Sequence, residues 1–176
     1  MKFLKILIPI SILSLVFIFD YYNKYYKPNT SFDDESIFLY VIKDDSLAFR
    51  DSISKYIKSE KTFYKVARRL KYMENKKTGR FKINKDLGNN DIVNSLKFNN
   101  TPVNVTFNNQ ERIEDLAGRV SKQIYEDSLS LISAFKDQEF LKKNDLNEKN
   151  VLSIFIPNSY NIFWNTTSED FRDRML

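Results

Sequence analysis

The 176-residue sequence predicts an α+β protein that begins with a transmembrane helix. Three observations carry that expectation. Residues 6–19 (ILIPISILSLVFIF) hold no charge. Short β-branched or aromatic runs at 37–42, 80–83 and 103–107 read as strands. Between and after them, apolar residues recur at helical spacing behind capping residues.

The composition narrows the chemistry before any element is placed. There are 28 Lys and Arg against 23 Asp and Glu, with no His and no Cys. No Ser-His-Asp or Cys-His nucleophile can be built, and no zinc site with His or Cys ligands. Disulfides and redox dithiols are absent too. Catalysis would have to rest on carboxylates, Lys, Tyr or an oxygen-ligated metal. The formal charge of +5 comes from 20 Lys but only 8 Arg, spread along the chain without an Arg-rich stripe. It reads as a solvated surface, so no nucleic-acid partner is expected.

The N-terminal run has 14 uncharged residues, or 20 from Phe3 to Tyr22 if Lys5 and Asp20 sit near the interfaces. Fourteen alone fits either a signal-peptide core or a membrane span. No small-x-small cleavage site follows, Tyr21, Tyr22, Tyr25 and Tyr26 would form an aromatic belt, and Lys5 can snorkel. These favour a signal anchor over residues 1–22, in contact with the bilayer through residues 3–22. Lys2 and Lys5 with the α-amine make the stronger positive flank, which places the N-terminus in the cytoplasm and the remainder outside. Residues 23–36, with Pro28, Asn29 and the acidic Asp33, Asp34 and Glu35, read as a tether.

A first folded segment is expected over 37–100. Residues 37–42 (IFLYVI) are apolar at every position, as in a strand buried on both faces. Asp44, Asp45 and Ser46 offer caps for a helix bearing Phe49, Ile53, Tyr56 and Ile57. Thr62 is a candidate cap for a second helix with the stripe Phe63, Val66, Ala67, Leu70 and Met73. Thr78 and Gly79 make a break before the strand 80–83 (RFKI). The order strand-helix-helix-strand is that of a LysM-like module, and many small α+β units share it. After Gly88, Asn89 or Asn90 can cap a helix carrying Ile92, Val93 and Leu96.

A second segment, 101–176, opens with Val103, Val105 and Phe107 alternating with Asn104 and Thr106, a strand with one buried face. Asn108 and Glu111 have capping-box spacing ahead of a helix whose stripe is Ile113, Leu116, Ala117, Val120 and Ile124. Shorter helical stretches follow near 128–135, 138–142 and 148–154. Ser168 is a candidate cap for a last helix with Phe171, Met175 and Leu176 on its apolar face. Two turns ending on apolar residues read as an element cut short.

Most carboxylates cluster at helix starts, where capping and dipole effects account for them. There is no Gly-rich phosphate loop and no calcium-loop spacing, so neither cofactor nor metal is expected. Arg68, Arg69, Lys71, Lys76 and Lys77 read as the wet face of an amphipathic helix. The most unusual stretch is 153–164 (SIFIPNSYNIFW), apolar and aromatic around the polar turn Pro157-Asn158-Ser159 and ending in the only Trp. It fits a loop packed on the core by Phe155, Tyr160 and Phe163. It also fits a carbohydrate-facing loop, where aromatic faces stack on sugars while Asn and Ser bond hydroxyls.

The whole layout resembles the YceG-like, or MltG, endolytic murein transglycosylases of bacterial cell-wall metabolism, in their Bacteroidetes-type form. The resemblance runs from the anchor and YYNKYYKPN through TGRFKI and NNDIVNSL. It continues in PVNVTFNNQERIEDLAGRVSKQ and closes with FIPNSYNIFWNTTSEDFRDRM. The family's last stretch usually reads Phe-x-Pro-Asp/Asn-Thr-Tyr; here Asn158 takes the Asp/Asn place and Ser159 replaces Thr. The resemblance implies cleavage of the bond between N-acetylmuramic acid and N-acetylglucosamine in nascent glycan strands. One Glu protonates the leaving oxygen while the muramyl O6 attacks, leaving a 1,6-anhydro end, without His, Cys or metal. It implies a single-pass inner-membrane protein whose partners are peptidoglycan glycan strands, with cell-wall synthases as further candidates. Residues 101–176 would be the first part of the catalytic domain. The family's catalytic Glu lies in a motif that no residue here matches, so no catalytic residue is assigned and the fragment is expected to be inactive. Asn158, Ser159 and Tyr160, with Trp164 as a weaker addition, are the substrate-binding candidates. The alternative is a non-catalytic anchored module that binds peptidoglycan through 37–83.

Overall fold

A computed structural model describes the backbone of residues 2–176 and the side chains of residues 9–176. The chain is mixed α+β and divides into two compact units, residues 1–100 and 101–176.

The first unit begins with helix α1 (Lys2–Tyr25). From Ile10 to Phe19 every large apolar side chain is at least 56 % exposed, on all sides of the helix. The expected anchor also draws on residues 3–8, whose side chains lie outside the described residues. Among the described residues no helix is long and apolar enough to cross a membrane. The end of α1 is different: Tyr25 is buried in the core of the unit.

The strands β1 (Ser36–Val41) and β2 (Gly79–Asn84) pair antiparallel, from Ser36 opposite Asn84 to Val41 opposite Gly79. Alternation then sends Leu39, Val41, Phe81 and Ile83 to one face. Helices α2 (Ser46–Ser54), α3 (Glu60–Arg69) and α4 (Asn89–Phe98) cover it with Phe49, Ile53, Phe63, Val66, Ile92 and Leu96. The expectation that β1 is buried on both faces is wrong. Phe38 is 41 % and Tyr40 48 % exposed, because helices cover only one side of this two-stranded sheet. The Arg80 guanidinium lies 3.8 Å from the centre of the Phe38 ring. Asp45 caps α2 by accepting from the Ala48 N–H. The cap of α3 is Ser59 rather than Thr62, whose own N–H donates to the Ser59 hydroxyl.

Residues 23–36, read from sequence as a tether, are fastened to this unit. Asn29 and Thr30 are buried. The Asn29 side-chain amide donates to Ser59 O at 3.1 Å and to Asn89 Oδ1 at 2.7 Å, and its Oδ1 accepts from the Ser59 N–H at 2.8 Å. Asn89 in turn donates to Lys24 O at 2.8 Å. Asn89 therefore does not cap α4; the cap position is Gly88, where a Cβ would stand 2.6 Å from Tyr26 O and 2.7 Å from Tyr25 O. Only glycine admits that close approach of two backbones.

The second unit has strands β3 (Val103–Phe107) and β4 (Asn158–Ile162), paired antiparallel from Val103 opposite Ile162 to Phe107 opposite Asn158. Helices α5 (Ile113–Val120), α6 (Ser128–Phe135), α7 (Gln138–Lys143) and α8 (Ser168–Met175) and a 3-10 turn (Val151–Ile154) complete it. Its core joins Val105, Leu116, Ala117, Val120 and Leu131 to the rings of Phe135, Phe155 and Phe171. The Asn108–Glu111 capping box does not form: Arg112 takes the cap position without a side-chain bond, and Asn108 instead accepts from Gln110. Thr167, not Ser168, caps α8, and Ser168 donates to Glu126 from a buried position. Phe171 and Met175 are buried as expected, whereas Leu176 is exposed. Arg172 is buried too; it lies 3.8 Å from the Phe140 ring centre, donates to Ala134 O and pairs with Asp173 at 2.7 Å.

Candidate functional site

The stretch 153–164 is not a loop around a polar turn. Residues Asn158–Ile162 form β4, because Tyr160 and Ile162 alternate with polar residues and find Val105 and Val103 directly opposite. That pairing sorts the side chains. Asn158, Tyr160 and Ile162 share the face of the core; Ser159 and Asn161 share the other with Thr106 and Asn104.

The outward face is a ladder of hydroxyls and amides. Thr106 Oγ1 and Ser159 Oγ are 2.8 Å apart and both exposed. Asn104 and Asn161 are opposite one another and exposed. Phe163, just past β4, is 47 % exposed. The edge of β3 is closed by a side chain: Gln123 Oε1 accepts from the Thr106 N–H at 2.9 Å, and Gln123 Nε2 donates to Thr106 O at 3.0 Å. This primary amide stands in for a neighbouring strand and holds the Thr106 backbone rigid.

On the inner face Tyr160 is half-buried and stacks on Phe107, with ring centres 5.5 Å apart and planes 17° apart. Its hydroxyl donates to Ile156 O at 2.6 Å. Asn158 Oδ1 accepts from the Ser159 N–H at 2.8 Å, which turns the chain into β4 after Pro157. Beside this end of the β3–β4 pair lies a groove of about 230 Å³, floored by Phe107, Leu116 and Phe155 and rimmed by Asn108, Asn109 and Gln110.

A family model described as the YceG-like family matches residues 48–176. The chain belongs to the YceG-like family. No curated protein and no solved structure matches it. YceG-like membership implies a lytic transglycosylase role in peptidoglycan biogenesis.

Within this YceG-like chain the four residues singled out by sequence do not form one constellation. Asn158, Ser159 and Tyr160 gather at one end of the β3–β4 pair, but Ser159 faces outward while Tyr160 is committed to Phe107 and Ile156. Trp164 lies beyond the far end of β4, half-buried, 5.1 Å from the ring centre of Tyr125, whose N–H donates to Trp164 O. Sequence reasoning missed Thr106, Gln123, Asn104 and Asn161. The alternation of β3 carried half the signal, since Asn104 and Thr106 are its polar positions; their partners needed the register.

Two carboxylates of the second unit, Glu114 and Asp127, are held as structural groups. Lys136, bonded to Glu114 at 2.8 Å, and the backbone around Glu114 hold its carboxyl below the usual range. The Ser130 N–H does the same for Asp127, the cap of α6. A general acid requires the opposite shift, upward, in a site shielded from water. Among the described residues no cluster of three or more carboxylates could hold a metal ion.

Proposed function

We propose that this chain is the anchored, substrate-contacting part of an endolytic murein transglycosylase. The observation that carries the proposal is the family match over residues 48–176. The reaction cleaves the β-1,4 bond between N-acetylmuramic acid and N-acetylglucosamine in nascent glycan strands. An acid gives its proton to the leaving glycosidic oxygen, and the muramyl O6 attacks C1 and loses its own proton, so water is not consumed. Glu114 is paired with Lys136 and Asp127 caps α6, so neither is poised to give that proton, and the role proposed for this chain's polar sheet residues is to hold substrate. The outward face of β3–β4 suits that role. Thr106, Ser159, Asn104 and Asn161 offer donors and acceptors to sugar hydroxyls and acetamido groups, and exposed Phe163 offers a stacking face.

Residues 3–22 of α1 are proposed to span the inner membrane, with the N-terminus in the cytoplasm and residues 23–176 outside. A helix that is apolar and exposed on every side is stable only in an apolar medium. Residues 3–22 make 20 residues of helix, which reach about 30 Å, the thickness of a hydrocarbon core of about 30 Å.

The test uses the full chain in neutral detergent. It should co-sediment with purified peptidoglycan, and Thr106→Ala with Ser159→Ala should weaken retention about thirtyfold, as expected for two lost hydrogen bonds at about 1 kcal/mol each. Unchanged retention would remove the β3–β4 face from the proposal. Formation of anhydro ends by the full chain would contradict the assignment of its carboxylates. Extraction of the chain from membranes at alkaline pH would contradict the anchor. A second reading, a non-catalytic peptidoglycan-binding module, is favoured by the open face of β1–β2, where Phe38 and Tyr40 stand opposite Lys82 and Arg80. Under that reading Phe38→Ala with Tyr40→Ala, not the Thr106 and Ser159 pair, abolishes retention.

A further inference from the structure

One groove of the first unit has no part in the proposed glycan face. It is a groove of about 670 Å³ between α2 and α3 in the first unit. Its apolar surface comes from Leu47, Tyr64 and Met73. Leu47, near the start of α2, is 76 % exposed, whereas Phe49 and Ile53 of the same helix are fully buried. The rim is cationic. Lys61, Lys65 and Arg68 recur at intervals of four and three along α3, so they form one stripe, and all are exposed. Arg50 faces them from α2, paired at 3.3 Å with Glu60, the one carboxylate of the rim. Behind Ser46, at the end of the groove, the buried Lys76 ammonium donates to the Ser46 hydroxyl at 3.0 Å. An apolar trough with a net positive rim fits a ligand that is both apolar and anionic.

The position of the groove says which such ligand it meets. α3 packs against α1 in the same unit. Asp20 is where the apolar stretch of α1 ends, and exposed Tyr21, Tyr22 and Tyr26 follow it. If α1 spans the membrane, these tyrosines and Asp20 lie at headgroup depth, and the basic stripe of α3 lies beside them.

We propose that the α2–α3 groove binds an anionic phospholipid of the bilayer that holds α1. The rim takes the phosphate and the trough takes part of an acyl chain. This inference rests on the reading of α1 as an anchor, but not on any reading of β3–β4 or of catalysis. Such a contact would fix the tilt of the first unit on the membrane, beyond what a single helix can do.

The experiment is native mass spectrometry of the full chain from neutral maltoside micelles. The probes are dioctanoyl-phosphatidylglycerol, dioctanoyl-phosphatidylcholine and inorganic phosphate. Phosphatidylglycerol should bind with an apparent Kd at least tenfold below that of phosphatidylcholine. The variant Lys61→Gln/Lys65→Gln/Arg68→Gln, which alters only exposed side chains, should erase that preference. Leu47→Asp should weaken phosphatidylglycerol at least fivefold with those three cations retained, and circular dichroism should show both variants folded. Equal binding of the two lipids, or a preference that survives the triple variant, would overturn the proposal. So would displacement of phosphatidylglycerol by equimolar phosphate, since the trough would then contribute nothing. Because the probes are short-chain lipids in micelles, failure here is separable from alkaline extraction of the chain, which tests the anchor alone.

Discussion

Replacing Asn29 by Ala tests whether residues 23–36 are part of the first unit. The Asn29 side chain makes three hydrogen bonds inside the protein, two to Ser59 and one to Asn89. Both Asn29 and Asn89 are at most 5 % exposed, so water does not compete for these groups. At about 1 kcal/mol net per bond, the loss is about 3 kcal/mol. The orphaned Ser59 N–H and Asn89 Oδ1 keep it from being smaller. Asn29→Asp should cost more at neutral pH. Its carboxylate would face Asn89 Oδ1, which stands 2.7 Å from the present amide nitrogen, with no donor to meet it. Burial raises the folded-state pKa of that carboxyl, so the folded state binds the extra proton and the Asn29→Asp protein recovers stability as pH falls. The assay is urea unfolding of the full chain in neutral detergent, with a double-mutant cycle against Asn89→Ala. A coupling above about 1 kcal/mol is expected for groups in direct contact. A cost for Asn29→Ala below about 0.5 kcal/mol, with no coupling, would refute the reasoning and restore the free tether.

The remaining predictions concern other single contacts. Gly88→Ala places a Cβ 2.6 Å from Tyr26 O and 2.7 Å from Tyr25 O. It should cost about 1–3 kcal/mol by forcing two backbones apart, read as a lowered urea midpoint. Tyr72→Phe should act in the other direction. The Tyr72 hydroxyl is buried without a hydrogen-bond partner among the described residues, and burial pushes its pKa well above the usual phenol range. Removing it should raise stability by about 1 kcal/mol, and a loss of that size would show that the hydroxyl does have a partner. The Glu114–Lys136 pair gives a pH signature. Lys136 lowers the Glu114 carboxyl from its ordinary 4.5, and Glu114 raises the Lys136 ammonium from its ordinary 10.5. The pair's contribution is therefore present between those values. It is lost as pH falls through the lowered Glu114 pKa, or rises through the raised Lys136 pKa. The two side chains are 40 % and 33 % exposed, so the effect is small and shrinks with salt. The difference in unfolding midpoint between the native chain and Glu114→Gln should vanish at both extremes of pH.

Periodicity made much of this fold legible. The stripe Ile113, Leu116, Ala117, Val120 and Ile124 is buried as read, and so are Val103, Val105 and Phe107. Local reading failed where an end or a face depends on something distant in the chain. β1 is apolar throughout, yet Phe38 and Tyr40 face outward because helices cover one side only. Asn89 has the chemistry of a cap but bonds Lys24 O across 65 positions, and a proline, asparagine and acidic run disguised a packed segment as a linker. Pro157, Asn158 and Ser159 suggested a polar turn; with Asn158 opposite Phe107 and Ser159 opposite Thr106, the last two begin a strand.

The amino-acid sequence by itself determined what chemistry is possible and which family this is. Absent side chains exclude whole mechanisms, and a family pattern is a property of residue order. It also determined the amphipathic faces, since helical and strand periods are local. Only the tertiary structure decided which polar residues share a surface. Thr106 and Ser159 are 53 positions apart, and a strand register places their hydroxyls 2.8 Å from one another. The same holds for the α2–α3 groove, where Leu47 and the Lys61, Lys65 and Arg68 stripe belong to separate helices. Such juxtapositions depend on how cores close, which is a sum over many long-range contacts that no short window of sequence contains.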